Sequence, residues 1–258
     1  MFILINKPKD WTSFDVVGYI RKIARQSLKS VDPDNQKIRS LKVGHAGTLD
    51  PFATGLLIVG VGREATKRLD EFKNLPKTYV ATIRLGAVSD TFDSTGVITN
   101  YKKSLSNCYM VTLLKKLFKK NNNVTIQQCN NEFNKIDSVL IQNVLNKFIG
   151  KIKQTPPMYS AKKINGQKLY DLARKGITIR RKKNKIEIYN IKLIEYNYPI
   201  LKISVNCSAG TYIRTLANDI GEKLRVGAYC EELERTKIGE YSLDEAKSIA
   251  DIKNLQFT

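Results

Sequence analysis

The chain has 258 residues, 42% of them hydrophobic, which is enough for a packed core and argues against disorder throughout. Lysine and arginine total 44 against 24 aspartates and glutamates, a net charge of +20 that attracts polyanions and makes nucleic acid the leading partner class. No apolar run reaches the roughly 18 residues of a membrane-spanning helix, and the single histidine and scattered Cys108, Cys129, Cys207 and Cys230 argue against a disulfide framework or structural zinc.

In chain order, FILIN reads as a short strand. Its flanks lack the basic segment and long apolar core of a signal peptide, so a cytoplasmic protein with free thiols is expected. Val16, Val17, Ile20, Ile23 and Ala24 recur at helical spacing and predict a helix over 13–26, with Thr12 or Ser13 as its cap. Residues 27–40 read as a polar loop. LLIVGVG predicts a buried strand, and residues 64–73 a helix. TYVATIRLG alternates as a strand, and a second strand falls on DSTGVITNY. The Lys- and Asn-rich stretch at 119–137 has little pattern and reads as an insertion. Leu140, Val144, Leu145 and Phe148 mark a helix before Gly150. Strands are expected over 185–196 and 200–208, and helices over 211–224 and 243–255. The mixture lacks a strict βαβ repeat, which implies an α+β fold with a mixed sheet.

Four stretches carry candidate chemistry. GHAGTLDPFATGLL, at 44–57, holds the lone His45, and Asp50 directly before Pro51. Glycines allow close backbone approach there, and the proline biases Asp50 toward extended geometry. SAGTYIRTLANDIG, at 208–221, puts Tyr212 and Arg214 in the first turn of a helix. The helix dipole disfavours an arginine there, so Arg214 needs an anionic partner: a phosphate, a distant carboxylate such as Asp50, or Asp219 or Glu222 nearby. KTYVATIRLG places Tyr79 at the start of a strand. PPMYSAKKINGQKLYDLARKG interleaves aromatics with Lys162, Lys163, Lys168 and Arg174, and Arg180 and Arg181 follow in RRKKNK. That pattern suits a nucleic-acid backbone with unstacked bases, although a charge run alone is more often a solvated face.

Taken in order, INKPKDWTS, KVGHAGTLDPFATGLL, KTYVATIRLG with SDTFDSTG, PPMYSAKKINGQKLYDLARKG, and SAGTYIRTLANDIGEKL with LERTKIGEYS resemble the TruB family of tRNA pseudouridine synthases. The resemblance runs from residue 4 to about 242. It implies the pseudouridine synthase fold, a mixed and largely antiparallel sheet flanked by helices with a central active-site cleft. It also implies a monomer acting on the tRNA T stem-loop at position 55, with no cofactor, metal, guide RNA, protein partner or membrane. A further role as a tRNA folding chaperone is compatible with it.

Residue by residue, the resemblance makes Asp50 the essential aspartate and Arg214 the arginine that pairs with it. Tyr79 becomes the tyrosine packing against the target base and a candidate base at C5. His45 helps to hold the opened T loop, Tyr212 and Leu233 line the uridine pocket, and Lys7 lies beside the active site. The catalytic domain is expected over 1–242, with insertions near 27–40 and 119–137. A short helical tail follows over 243–258, with no C-terminal PUA-type domain. Glu234 also stands where a basic residue is common in the family. Two other readings of the residues are a non-catalytic RNA-binding module, and a hydrolase using Asp50 and His45.

Overall fold

The computed structural model describes residues 1–34, 36–101, 136–160, 163–164 and 166–257. They fall into two units. One comprises Met1–Val80, Asn206–Ala209 and Leu233–Thr258, the other Ala81–Val205 and Gly210–Glu232.

The first unit is built around a strand that is apolar on both faces. β1 (Phe2–Lys7) pairs antiparallel with β3 (Thr54–Val61), and β2 (Val43–Ala46) pairs antiparallel with the same strand. Successive side chains of β3 point to opposite faces. Leu57, Val59 and Val61 therefore pack in one cluster with Ile3, Ile5 and the apolar face of α1 (Ser13–Val31). Leu56 and Ile58 enter a second cluster with Leu69, Phe72 and Ile238. An unbroken apolar run is what a strand buried on both faces requires. Thr12 caps α1: its side chain accepts from the Asp15 amide at 3.0 Å, and the Asp15 carboxylate accepts from the Thr12 amide at 2.7 Å.

The second unit contains β5 (Ala87–Ser89) and β6 (Ile98–Asn100), paired as a small hairpin. α4 (Ser138–Asn146) packs against β10 (Asn184–Asn197), which pairs antiparallel with β7 (Gly150–Gln154). β8 (Lys163–Ile164), β9 (Gln167–Lys168) and the helix α5 (Leu169–Arg174) lie between β7 and β10 in sequence. α6 (Ile213–Leu224) buries Leu216, Ala217 and Ile220. β4 (Lys77–Leu85), β11 (Ile200–Cys207) and β12 (Ala228–Ile238) each contribute residues to both units. Among the described residues the large sheet runs β1-β3-β12-β4-β11-β10-β7, with β2 on β3 and β13 (Tyr241–Ser242) on β12. The contact of β12 with β3 is parallel, inside an otherwise largely antiparallel sheet. The class is α+β, as the sequence implied.

Several local expectations need correction. The first helix continues to Val31, because nothing between Gln26 and Pro33 breaks it and Leu28 packs on the core. Only then does the chain loop, ending in a 3-10 turn over Gln36–Ser40. The helix expected over 64–73 is two short ones, α2 (Arg63–Lys67) and α3 (Asp70–Lys73). Tight i→i−3 bonds from Arg68 to Ala65 and from Glu71 to Arg68 separate them. The stretch 243–255 holds only 3-10 turns, Leu243–Glu245 and Asp251–Asn254. Between them the Lys247 amide donates to Leu4 and the Asn6 amide to the Lys247 carbonyl, so this segment covers the edge of β1 instead of coiling. Tyr212 is the N-cap residue of α6, not part of its first turn. Strands β2, β5, β7, β8, β9, β12 and β13 and the helix α5 were not anticipated. Of the insertion expected near 119–137, residues 119–135 lie outside the described residues.

Candidate active site

In the first unit the loop bearing Asp50 is tied down on several sides. Ser13 and Leu49 exchange two hydrogen bonds: the Leu49 amide donates to the Ser13 hydroxyl at 2.9 Å, and that hydroxyl donates back to the Leu49 carbonyl at 3.3 Å. The Pro51 carbonyl accepts from the Asp10 amide at 2.8 Å and from Lys7 Nζ at 3.2 Å. The Asp50 carbonyl accepts from the Ala53 amide at 3.1 Å, which closes the turn. Leu49, Phe52 and Ala53 are buried and anchor the loop, while Asp50 itself is partly exposed.

Arg235, on β12, holds both ends of the loop. Its Nη2 donates to the Gly47 carbonyl at 2.9 Å and its Nε to the Leu56 carbonyl at 2.8 Å, with the side chain 1% exposed. Arg235 pairs in register with Gly55. A Cβ at Gly55 would lie 2.4 Å from the Arg235 carbonyl oxygen, so only glycine lets the two strands meet there. Arg235 is not among the residues the sequence singled out, although it stands two residues from Leu233 on the same face of β12.

Two lysines join this region. Lys7 is fully buried, and its ammonium donates to the carbonyls of Pro8 at 2.7 Å, Trp11 at 2.6 Å and Pro51. Burial pulls it down to about 8, against the attraction of Asp10 and Asp50. Lys77, a second residue not foreseen, donates to the carbonyls of Leu75, Lys73 and Phe72 at the end of α3. Burial brings it also to about 8, assisted by the charge of Arg235. Tyr79 follows on β4. Desolvation pushes its hydroxyl up, opposed by the charge of Arg235 and a hydrogen bond from it. In the free protein Tyr79 is thus a neutral phenol at pH 7. His45, on β2, stands opposite Val59 with its ring perpendicular to that of Phe14. Burial, with Arg235 and Lys73, lowers it to about 4, so the imidazole is neutral at pH 7. Leu233 is buried on β12. The first unit therefore brings together Lys7, His45, Asp50 and Tyr79, all within electrostatic reach of Arg235 or Asp50.

In the second unit Arg214 is 4% exposed and paired with Asp93, Nη1 to Oδ2 at 3.1 Å. Its Nη2 donates to the Tyr159 carbonyl at 2.7 Å. Asp93 was not named in advance, although it lies in the SDTFDSTG stretch. Its other oxygen accepts from the Thr91 hydroxyl at 2.7 Å and from the Thr95 amide and hydroxyl at 3.0 and 2.6 Å. The Tyr212 backbone is fixed by Gln154, which accepts from its amide at 2.8 Å and donates to its carbonyl at 2.9 Å.

The basic series is more dispersed. Arg174 is exposed with its guanidinium over the Tyr170 ring, Arg180 is exposed and Arg181 half-buried. Lys163 and Lys168 are paired in backbone register in the β8–β9 hairpin. Lys162 lies outside the described residues. No helix among the described residues is long and apolar enough to cross a membrane.

The sheet and its flanking helices define the chain as a pseudouridine synthase by fold. A solved Cbf5–Nop10–Gar1 complex superposes with a TM-score of 0.63 at 25% identity, over 98% of this chain and 53% of that one, so the chain spans about half of that structure's length. The family model for the TruB pseudouridylate synthase N-terminal domain matches residues 35–120 and 108–213, and that for the tRNA pseudouridylate synthase B C-terminal domain matches 214–258. A tRNA pseudouridine synthase B of Parabacteroides distasonis is 40% identical over 97% of this chain and 90% of its own length. One of Clostridium tetani is 41% identical over 98% of this chain and 73% of its own. The chain belongs to the TruB family of pseudouridylate synthases.

Proposed function

We propose that this protein isomerises the T-loop uridine at position 55 of tRNA to pseudouridine, as a stand-alone cytoplasmic enzyme. The observation that carries the reading is Asp50, presented on a loop pinned by Lys7, Ser13 and Arg235, in a chain 40% identical to tRNA pseudouridine synthase B over nearly its whole length.

The reaction breaks the bond from N1 of uracil to C1′ of ribose and makes one from C5 to C1′. C5 loses a proton and N1 gains one, so no redox partner is needed. The target base is first flipped out, at a cost of roughly a few kcal/mol in lost stacking. Phosphate contacts from a chain of net charge +20 offset part of that cost. Asp50 acts at the ribose as a carboxylate, either attacking C1′ or removing the C2′ proton. A loop fixed this closely holds that carboxylate in one place, which is where enzymes gain from pre-organisation. Tyr79, a neutral phenol at rest, is suited to pack against the uracil; acting as the base at C5 would require it to lose its proton first. The reading assigns Tyr212 and Leu233 each a contact with the uridine, and His45 the holding of the opened loop. For Arg214 the reading assigns a part in turnover rather than in gripping RNA, because a guanidinium that is buried and paired with Asp93 is poorly placed for a solvent-facing phosphate.

The test uses tRNA transcribed with uridine tritiated at C5, because that hydrogen must leave when C5 bonds to C1′. The purified chain alone should release one equivalent of tritium per tRNA. Asp50→Asn should bind the same tRNA and release none, and a transcript without the target uridine should also release none. Full release by Asp50→Asn, with deamidation excluded, would overturn the reading. Tight binding by the wild type without release would leave an RNA-binding module.

A further inference from the structure

Helix α1 turns one stripe to the core and another outward. Phe14, Gly18, Arg21 and Arg25 recur at i, i+4, i+7 and i+11, on one helical face. Phe14 is 73% exposed, a large ring that the core does not use. It stands at 87° to the His45 ring with centroids 5.5 Å apart. Two perpendicular aromatic planes form a corner, in which a planar base can lie on one face and turn its edge to the other ring. His45 is neutral at pH 7, so a base meets an uncharged ring there.

One turn further on, Gly18 meets no atom within 4 Å of where a Cβ would be. A glycine inside an exposed helix is disfavoured, and here no neighbour's packing requires it. It leaves the helix backbone open to close approach. Beyond it, Arg21 Nη2 donates to the Val43 carbonyl at 3.2 Å and Arg25 Nη2 to the Arg39 carbonyl at 2.6 Å. Each guanidinium is thus oriented through one nitrogen. From Phe14 to Arg25 the stripe measures about 16 Å at the helical rise, enough for a short run of nucleotides.

We infer that this face of α1 is a contact for an RNA strand: an unstacked base sits in the Phe14–His45 corner, the backbone passes Gly18, and phosphates meet Arg21 and Arg25. The inference rests on the proposed activity for the identity of the RNA, and deepens it by naming a binding surface outside the residues that react. An aromatic platform followed by a cationic track is how single strands are held without reading sequence.

The test measures affinity for the T-loop tRNA transcript across a series of salt concentrations, with thermal unfolding as a check on folding. Phe14→Ala should weaken binding by roughly five- to a hundredfold, the worth of one base on one ring, with the salt slope unchanged. Phe14→Trp should bind as the wild type does, with fluorescence that responds to RNA. Arg21→Gln with Arg25→Gln should reduce the salt slope by about 1.5, the counterions of two phosphates. Wild-type affinity and slope in both the alanine and the double-glutamine variants, folded as the wild type is, would overturn the inference. The tritium assay on the wild type keeps the two readings apart: no release, together with a reduced slope in the double variant, would sink the proposed reaction and leave the surface standing.

Discussion

Each unit buries a guanidinium, and they satisfy it differently. In the second unit Arg214 meets the carboxylate of Asp93, both side chains 4% exposed, and Asp93 is itself saturated by Thr91 and Thr95. In the first unit Arg235 donates to the carbonyls of Gly47 and Leu56, and Lys7 and Lys77 likewise donate to carbonyls. A carboxylate cancels a cation's charge, whereas a carbonyl dipole orients it and leaves the charge in place. The consequence is visible in the neighbours. Arg235 contributes to lowering Lys7, Lys77 and His45, so the first unit concentrates positive potential around the loop that carries Asp50. The second unit builds a rigid, neutralised post. The first builds a field suited to a carboxylate and to the phosphates of an RNA.

Breaking the neutralised post should have the largest effect. Asp93→Asn takes one buried carboxylate from the Arg214 guanidinium, a change that costs about 3–5 kcal/mol when one partner of a buried pair is removed. Urea unfolding measures this. Asp93→Leu combined with Arg214→Met should recover most of the stability, since a well-packed apolar pair can replace a buried ion pair, but it should not recover tritium release. Recovery of both would make Arg214 purely structural. Removing the cation of the other unit should cost less. Arg235→Met loses two hydrogen bonds from a charged donor, about 2–3 kcal/mol with the repulsion of Lys7 and Lys77 relieved. Arg235→Lys cannot reach both carbonyls with a planar fork, so turnover should fall more than RNA affinity. Equal losses in the two would mean that Arg235 serves the fold alone.

This contrast was only partly legible in the sequence. Strands β1, β3, β4, β10 and β11 announce themselves through apolar runs or alternation, and the GHAGTLDP stretch singles out His45 and Asp50 without any structure. β12 is hidden because Glu231, Glu232, Glu234 and Lys237 crowd its partly exposed positions, and a strand so charged reads as surface. Arg235 is hidden with it. Its burial depends on register with Gly55, far away in sequence, and no local pattern contains that pairing. Lys77 is buried because it satisfies the carbonyl end of α3, a helix too short to stand out. Asp93 carries no sign in the sequence of which cation it meets, and its pairing with Arg214 is what the fold adds. Residues whose role follows from local chemistry were found. Those whose role follows from strand register or a distant partner were not.

The uncancelled charge of the first unit should also show in its pH dependence. Lys7 and Lys77 sit at about 8 when folded and at 10.5 in an unfolded chain. Between those values the unfolded state binds more protons, so stability should rise with pH from about 8 to 10.5. Lys7→Met should remove part of that rise.

The smallest effect is the most specific. His45 titrates at about 4 in the folded chain against 6.5 when unfolded, so stability should fall as the solution is acidified through that interval. Desolvation is the larger cause and Arg235 the next. Because the chain has one histidine, its ring protons can be followed by NMR without assignment. Arg235→Met should move the His45 midpoint upward while leaving it below 6.5, the remainder being burial. An unmoved midpoint would mean that the Arg235 charge is screened from its surroundings after all. The two units would then differ in their hydrogen bonds but not in the field they present to RNA.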